Sequence, residues 1–156
     1  MDLTVRAARA DDEVGVTEVD RLATAALRRI YRPTEAARAR RAVIASHTQR
    51  IVALVGKQVV GVVDYYAAAD RLSFLGLGVH PEFLRCGIAT ALVQEVERIA
   101  AATRYASIVL HTVKETGNVR IFERMGYRVE SEALTDLFEG IDGRQVSEVV
   151  MSKRVG

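Results

Sequence analysis

Leu72-Ser-Phe-Leu-Gly-Leu-Gly-Val79 runs through His80-Pro-Glu-Phe-Leu-Arg-Cys86 into Gly87-Ile-Ala-Thr90, and this passage decides the fold. The first eight residues read as a strand. Gly76 and Gly78 puncture it, and missing side chains there indicate a bulge or the close approach of another backbone. His80-Pro81 stops the strand. From Ile88 the period lengthens: Ile88, Ala91, Leu92, Val96 and Ile99 form an apolar stripe on a helix reaching Ala102. That helix begins with little side-chain bulk, at Gly87 and Ala89. Free amides at a helix start, with the positive end of the helix dipole, make a site for phosphate or pyrophosphate, to which Thr90 adds a hydroxyl.

Downstream, Ser107-Ile-Val-Leu-His-Thr112 reads as a strand, and the helix between it and Leu72–Val79 makes the two parallel. A short helix over 117–125 ends at Gly126. Two further strands, 127–137 and 146–154, flank the Gly140-Ile-Asp-Gly143 turn. Upstream, Ile51–Val55 and Val59–Val63 form a hairpin across Gly56-Lys57-Gln58. Two helices precede it. One carries Val16, Val19, Leu22, Ala23, Ala26, Leu27 and Ile30 on one face and ends near Pro33. The other runs from Glu35 to about Ser46, with Ala36, Ala39, Val43 and Ile44 inward. A strand over Leu3–Ala7 opens the chain. The order predicts an α/β (α+β) domain over 1–156: a mixed sheet of about seven strands with helices on both faces.

Composition narrows the function classes. With 49% hydrophobic and 27% charged residues in 156, the chain has enough apolar material for one core without disulfides or metal. A net charge of +2 argues against a general nucleic-acid binder. No apolar run has the length of a membrane span, and Met1–Arg6 lacks the basic-then-apolar layout of a signal peptide. The single cysteine, Cys86, excludes an intrachain disulfide and fits a reducing compartment, so the expected location is cytoplasmic. His47, His80 and His111 have no metal-ligand spacing, and Pro81 occupies the third glycine position of a dinucleotide fingerprint begun at Gly76. Seven arginines between Arg28 and Arg50 face the single acid Glu35; they read first as a solvated helix face and second as a binding surface.

The passage from Val79 to Thr90 resembles the coenzyme A-binding motif of the GNAT superfamily of N-acyltransferases, and the element order resembles that family across nearly the whole chain, including Phe122-Glu-Arg-Met-Gly-Tyr127. Gly87 and Ala89 match the family pattern. Its glutamine or arginine is replaced by Leu84, with Arg85 one place later. The resemblance implies a twisted, mostly antiparallel sheet and transfer of an acetyl group from acetyl-CoA to a primary amine in a ternary complex, with no metal. It implies cofactor contacts from Leu77, Gly78, Val79, Arg85, Cys86, Gly87, Ile88, Ala89, Thr90, Asn118 and Phe122. Cys86 contributes its main-chain N–H and is no nucleophile.

No carboxylate lies within Leu72–Val79, so the general base is sought elsewhere, at His111 or at Glu115. Phe122 stands where many relatives carry a proton-donating tyrosine and can only pack. The partner expected is an amine-bearing small molecule or peptide, with neither nucleic acid nor membrane, and a homodimer is compatible with the family. The arginines suit an acceptor with a carboxylate better than a polyamine. The alternative function is an acyl-CoA-binding sensor or interaction module without turnover, for which Leu84, Phe122 and the missing strand carboxylate speak.

Overall fold

A computed structural model describes residues 1–156. Its strands are β1 (Leu3–Ala7), β2 (Tyr31–Pro33), β3 (Gln49–Val55), β4 (Gln58–Ala68), β5 (Arg71–Val79), β6 (Ser107–Val113), β7 (Arg128–Gly140) and β8 (Gln145–Arg154). The helices are α1 (Glu13–Leu27), α2 (Glu35–Ala45), α3 (Ile88–Ala102) and α4 (Asn118–Arg124). One eight-stranded sheet has the order β1-β3-β4-β5-β6-β8-β7-β2. Every neighbouring pair is antiparallel except β5 and β6, the pair joined through α3.

Alternation along β3 and β4 divides two apolar layers. Ile51 and Ala53 of β3 join Val60 and Val63 of β4 beneath α3, whose Ile88, Leu92, Val93, Val96 and Ala100 are all buried. Val52 and Leu54, with Val59 and Val62, turn to the opposite face and meet Val16 and Val19 of α1. Helices therefore cover both faces. Packing is close enough to demand glycine beneath α3: a Cβ on Gly61 would lie 2.8 Å from Ile88 Cγ2 and 2.9 Å from Leu92 Cδ1.

Three features differ from the sequence expectation. The sheet has eight strands because Tyr31-Arg-Pro33 pairs with Phe138–Gly140 of β7. This strand is too short for a visible alternation, and Pro33 is tolerated because β2 is the sheet edge. α1 accordingly stops at Leu27, before the Ile30 expected to close its stripe. The third difference is the rotation of α2. Val43 is 67% exposed and no residue of α2 is buried; the partly covered positions are Ala37 and Ile44. Arg41, four residues after Ala37 and three before Ile44, lies on that same inward stripe.

Candidate functional site

The β5–β6 ladder holds only Leu72 to Ile108 and Ser73 to Val109, after which the two strands diverge although both continue. The divergence starts where β5 bulges. Asp64 pairs with Leu75 and Val62 with Gly78, so β5 carries an extra residue there, and Gly76 takes φ +65°. Gly78 answers a different need, since a Cβ on it would come within 3.0 Å of Ala23 Cβ on α1. The bulge expected from the sequence is found at Gly76, whereas at Gly78 the close neighbour is the Ala23 side chain of α1 rather than another backbone.

Beyond the bulge, the His80 N–H donates to Val60 O at 2.8 Å, and Gly78 stands opposite Val62. Antiparallel alternation then turns the Gly78 main chain toward β4 and the Val79 N–H and C=O into the gap facing β6.

At the mouth of this gap the chain makes a short 3-10 turn at Pro81–Phe83 and enters α3 through Gly87, in the left-handed conformation at φ +78°. Arg85 is also left-handed, at φ +62°. Such a conformation is strained in a residue with a Cβ, and functional loops are where such strain collects. The main-chain N–H groups of residues 85–90 donate to no acceptor in the chain; the next, of Ala91, donates to Gly87 O. Arg85, Cys86, Gly87 and Thr90 are exposed, Ile88 is buried, and Ala89 lies between. A cluster of unpaired N–H groups at the start of a 15-residue helix is the arrangement that binds phosphate. Leu84 is 59% exposed beside it.

His111 lies on β6 across the gap. Ile108 and Leu110 belong to the core under α3, so His111 projects from the opposite face, the one covered by α1. Counting on from the Ser73–Val109 pair brings it level with Leu75. Its Nδ1 is 3.4 Å from Glu148 Oε1, and this contact holds the half-buried Glu148 carboxyl below its usual range. Glu115 accepts a hydrogen bond from the Ser147 N–H at 3.0 Å and so is tied to β8. Asn118 opens α4, its N–H donating to Thr116 Oγ1 at 3.2 Å. Phe122 is buried, its ring centroid 5.9 Å from that of Phe74 and 6.3 Å from that of Tyr127. Leu77 is partly buried against the same core.

The sequence reading missed a cleft of about 530 Å³ on the α1 face, lined by Asp20, Arg41, Ala45, Thr48, Arg50, Asp64 and Leu75. Arg50 and Asp64 satisfy each other through two hydrogen bonds, Nε to Oδ1 at 2.8 Å and Nη2 to Oδ2 at 3.3 Å. Arg41 Nη2 hangs over the bulge, 3.0 Å from where a Cβ on Gly76 would stand. Burial raises the Asp20 carboxyl above its usual range; Arg50 and Arg41 oppose this and Asp64 adds to it. These residues come from five separate elements and a loop, so no spacing in the sequence unites them. The available signal was the excess of arginine alone.

The acetyltransferase (GNAT) family profile matches residues 16–127. Among solved structures, the ribosomal-protein-S18-alanine N-acetyltransferase from Escherichia coli superposes with a TM-score of 0.77 at 14% identity, covering 99% of this chain and 94% of that one. An N-acetyltransferase from Staphylococcus aureus gives 0.75 at 14% identity, with both chains covered completely. A GNAT superfamily phosphinothricin acetyltransferase from Sinorhizobium meliloti, in complex with acetyl-CoA, gives 0.70 at 21% identity, covering 100% of this chain and 90% of that one. No curated protein sequence matches the chain.

Proposed function

Because the chain belongs to the acetyltransferase (GNAT) family, we propose that it transfers the acetyl group of acetyl-CoA to a primary amine by direct attack in a ternary complex. The observation that carries the reading is the coincidence of two features on one strand-loop-helix unit: a ladder that opens after Ser73, and unpaired N–H groups over residues 85–90 at its mouth. A pyrophosphate needs the second, and an extended pantetheine arm needs the first. Acetyl-CoA enters this reaction as a substrate that supplies a thioester carbonyl to the gap.

Each residue then has a role that its placement supports. The main-chain N–H groups of Arg85, Cys86, Gly87, Ile88, Ala89 and Thr90 hold the pyrophosphate, with the Arg85 and Thr90 side chains beside them. Leu77 lines the gap. Val79 offers its N–H to the carbonyl oxygen, where negative charge develops during attack. Gly78 contributes by letting α1 come close. His111, oriented by Glu148, takes the proton from the amine, and Glu115 is the second candidate. Asn118, at the start of α4, is the further cofactor contact that the family resemblance implies. Phe122 supplies packing only, and the thiolate leaves without a protein acid, since a thiol of ordinary acidity is a tolerable leaving group near neutral pH.

The neighbours' names point to unlike acceptors, an alanine of a ribosomal protein in one and phosphinothricin in another, so none is carried over whole. The test is calorimetric titration with acetyl-CoA, followed by release of free CoA thiol with a library of amines. Binding with turnover is expected. Binding without turnover on any amine favours the sensor reading, and no binding removes the proposal. No helix is long and apolar enough to cross a membrane, and no cluster of His, Cys, Asp or Glu has the arrangement of a metal site.

A further inference from the structure

The cleft over the β5 bulge carries four charged side chains, and two of them have no use within the fold. Arg50 and Asp64 neutralise each other. Asp20 on α1 and Arg41 on α2 both line the cleft, and neither makes an ion pair or a side-chain hydrogen bond in the chain. A half-buried carboxylate left without a partner costs stability, and the exposed Arg41 guanidinium beside it is free to pair with an incoming group. A carboxylate and a guanidinium that line one cleft of about 530 Å³ and pair with no group in the chain suit a dipolar ligand.

Resting on the acetyl-transfer reading above, we propose that this cleft is the acceptor site and that the acceptor is a small amine carrying a carboxylate on the same molecule. Arg41 grips the carboxylate and Asp20 receives the ammonium. The alternatives match poorly. A polyamine meets Arg41 and Arg50, a simple carboxylate meets Asp20 and Asp64, and a neutral amine leaves Arg41 unpaired.

The cleft also lies against the reacting strand. Arg41 Nη2 would touch a Cβ on Gly76, and Val19 and Ala23, which bracket Asp20 on α1, would lie 3.8 and 3.0 Å from a Cβ on Gly78. Leu75 lines the cleft, and His111 projects from the same sheet face across the gap. An ammonium docked at Asp20 gives up one proton to His111 and thence to solvent. The nitrogen lone pair then attacks the carbonyl carbon, the N–C bond forms, the C–S bond breaks with its electron pair passing to sulfur, and the nitrogen sheds a second proton. The thiolate takes up one proton, so each turnover gives the amide, free CoA thiol and one net proton.

The experiment uses the twenty proteinogenic L-amino acids, β-alanine and γ-aminobutyrate, each beside its primary amide, with thiol release as the readout and acetyl-CoA affinity measured in parallel. At least one acid is expected to have kcat/KM tenfold or more above its amide. Arg41→Gln should lower that preference at least tenfold, mainly through KM, with acetyl-CoA affinity retained, and Arg41→Lys should restore part of it. Arg41 is exposed, so neither variant threatens folding. Acids and amides used equally, amides preferred, an Arg41→Gln enzyme with unchanged preference, or an acetyl-CoA-binding protein that turns over none of the acids would each overturn the proposal while leaving cofactor binding intact. Loss of acetyl-CoA binding in the parent protein would instead overturn the acetyl-transfer reading, and this one with it.

Discussion

The two ends of the site are built from different material. At the α3 end, the proposed cofactor contacts are main-chain N–H groups of consecutive residues, presented by a glycine in the left-handed region. At the α1–α2 end, the proposed acceptor contacts are the side chains of Asp20, Arg41, Arg50 and Asp64, which the fold gathers from positions up to 44 residues apart. A main-chain site keeps its donors through most substitutions and is disturbed chiefly by changes in backbone shape or by added charge. A side-chain site can be rebuilt one residue at a time. On the proposed reading, the difference separates a cofactor end set by backbone shape from an acceptor end set by side chains.

The sharpest way to break that contrast is Gly87→Glu. A Cβ at Gly87 meets no atom within 4 Å, so the fold accepts one at the cost of the φ of +78°, on the order of 1 kcal/mol. The carboxylate, however, stands among the amides that would hold pyrophosphate and repels it. Acetyl-CoA affinity is expected to fall at least 100-fold by calorimetry, while Gly87→Ala loses far less. Wild-type affinity in a folded Gly87→Glu protein would show that the pyrophosphate lies elsewhere.

Next in size is His111→Ala, which probes the boundary between the two ends. Removal of a general base lowers rates by roughly 10² to 10⁴, and here kcat should drop by about 100-fold or more and the acidic limb of the pH profile should change. Acetyl-CoA affinity should stay within twofold of the parent. A variant with nearly parental kcat and an unaltered profile would clear His111, and Glu115, held by the Ser147 N–H, would be the next residue to test.

The same contrast explains what the sequence revealed. The β5-loop-α3 unit was legible because its signals are local: glycines, a proline stop and a change of period lie within nineteen consecutive residues, Leu72 to Thr90. α3 fell at Ile88–Ala102 as read, since its apolar stripe faces one uniform core. The parallel pairing of β5 and β6 followed from the crossover rule. β2 was not legible, because three residues carry no period and what makes them a strand is the partner Phe138–Gly140, more than a hundred positions away. The face of α2 was misread for a related reason. Alanines are spread around the helix, so the stripe through Ala37, Arg41 and Ile44 was chosen by what it packs over. With α2 misplaced in rotation, Arg41 counted as one solvated arginine among seven, and nothing in the sequence singled out Asp20.

The smallest expected effect is on stability, and it tests whether Asp20 is held for a ligand. Burial raises its carboxyl, so the folded protein holds this proton more tightly than the unfolded chain does. The contribution is therefore fully present below the unfolded carboxylate value of about 3.9 and is lost as pH rises through the higher folded value. At neutral pH the ionised Asp20 is a net cost to the fold. Asp20→Asn removes that cost, so Tm at pH 7.5 should equal or exceed the parent's by a few degrees at most. The difference should narrow at pH 4.5, where the parent's carboxyl recovers part of its proton. KM for the acceptor should rise in the same variant. A lower Tm at pH 7.5 would mean that the ionised carboxylate is stabilised by groups within the chain, Arg50 and Arg41 foremost, and the reason for assigning Asp20 to an incoming ammonium would be gone.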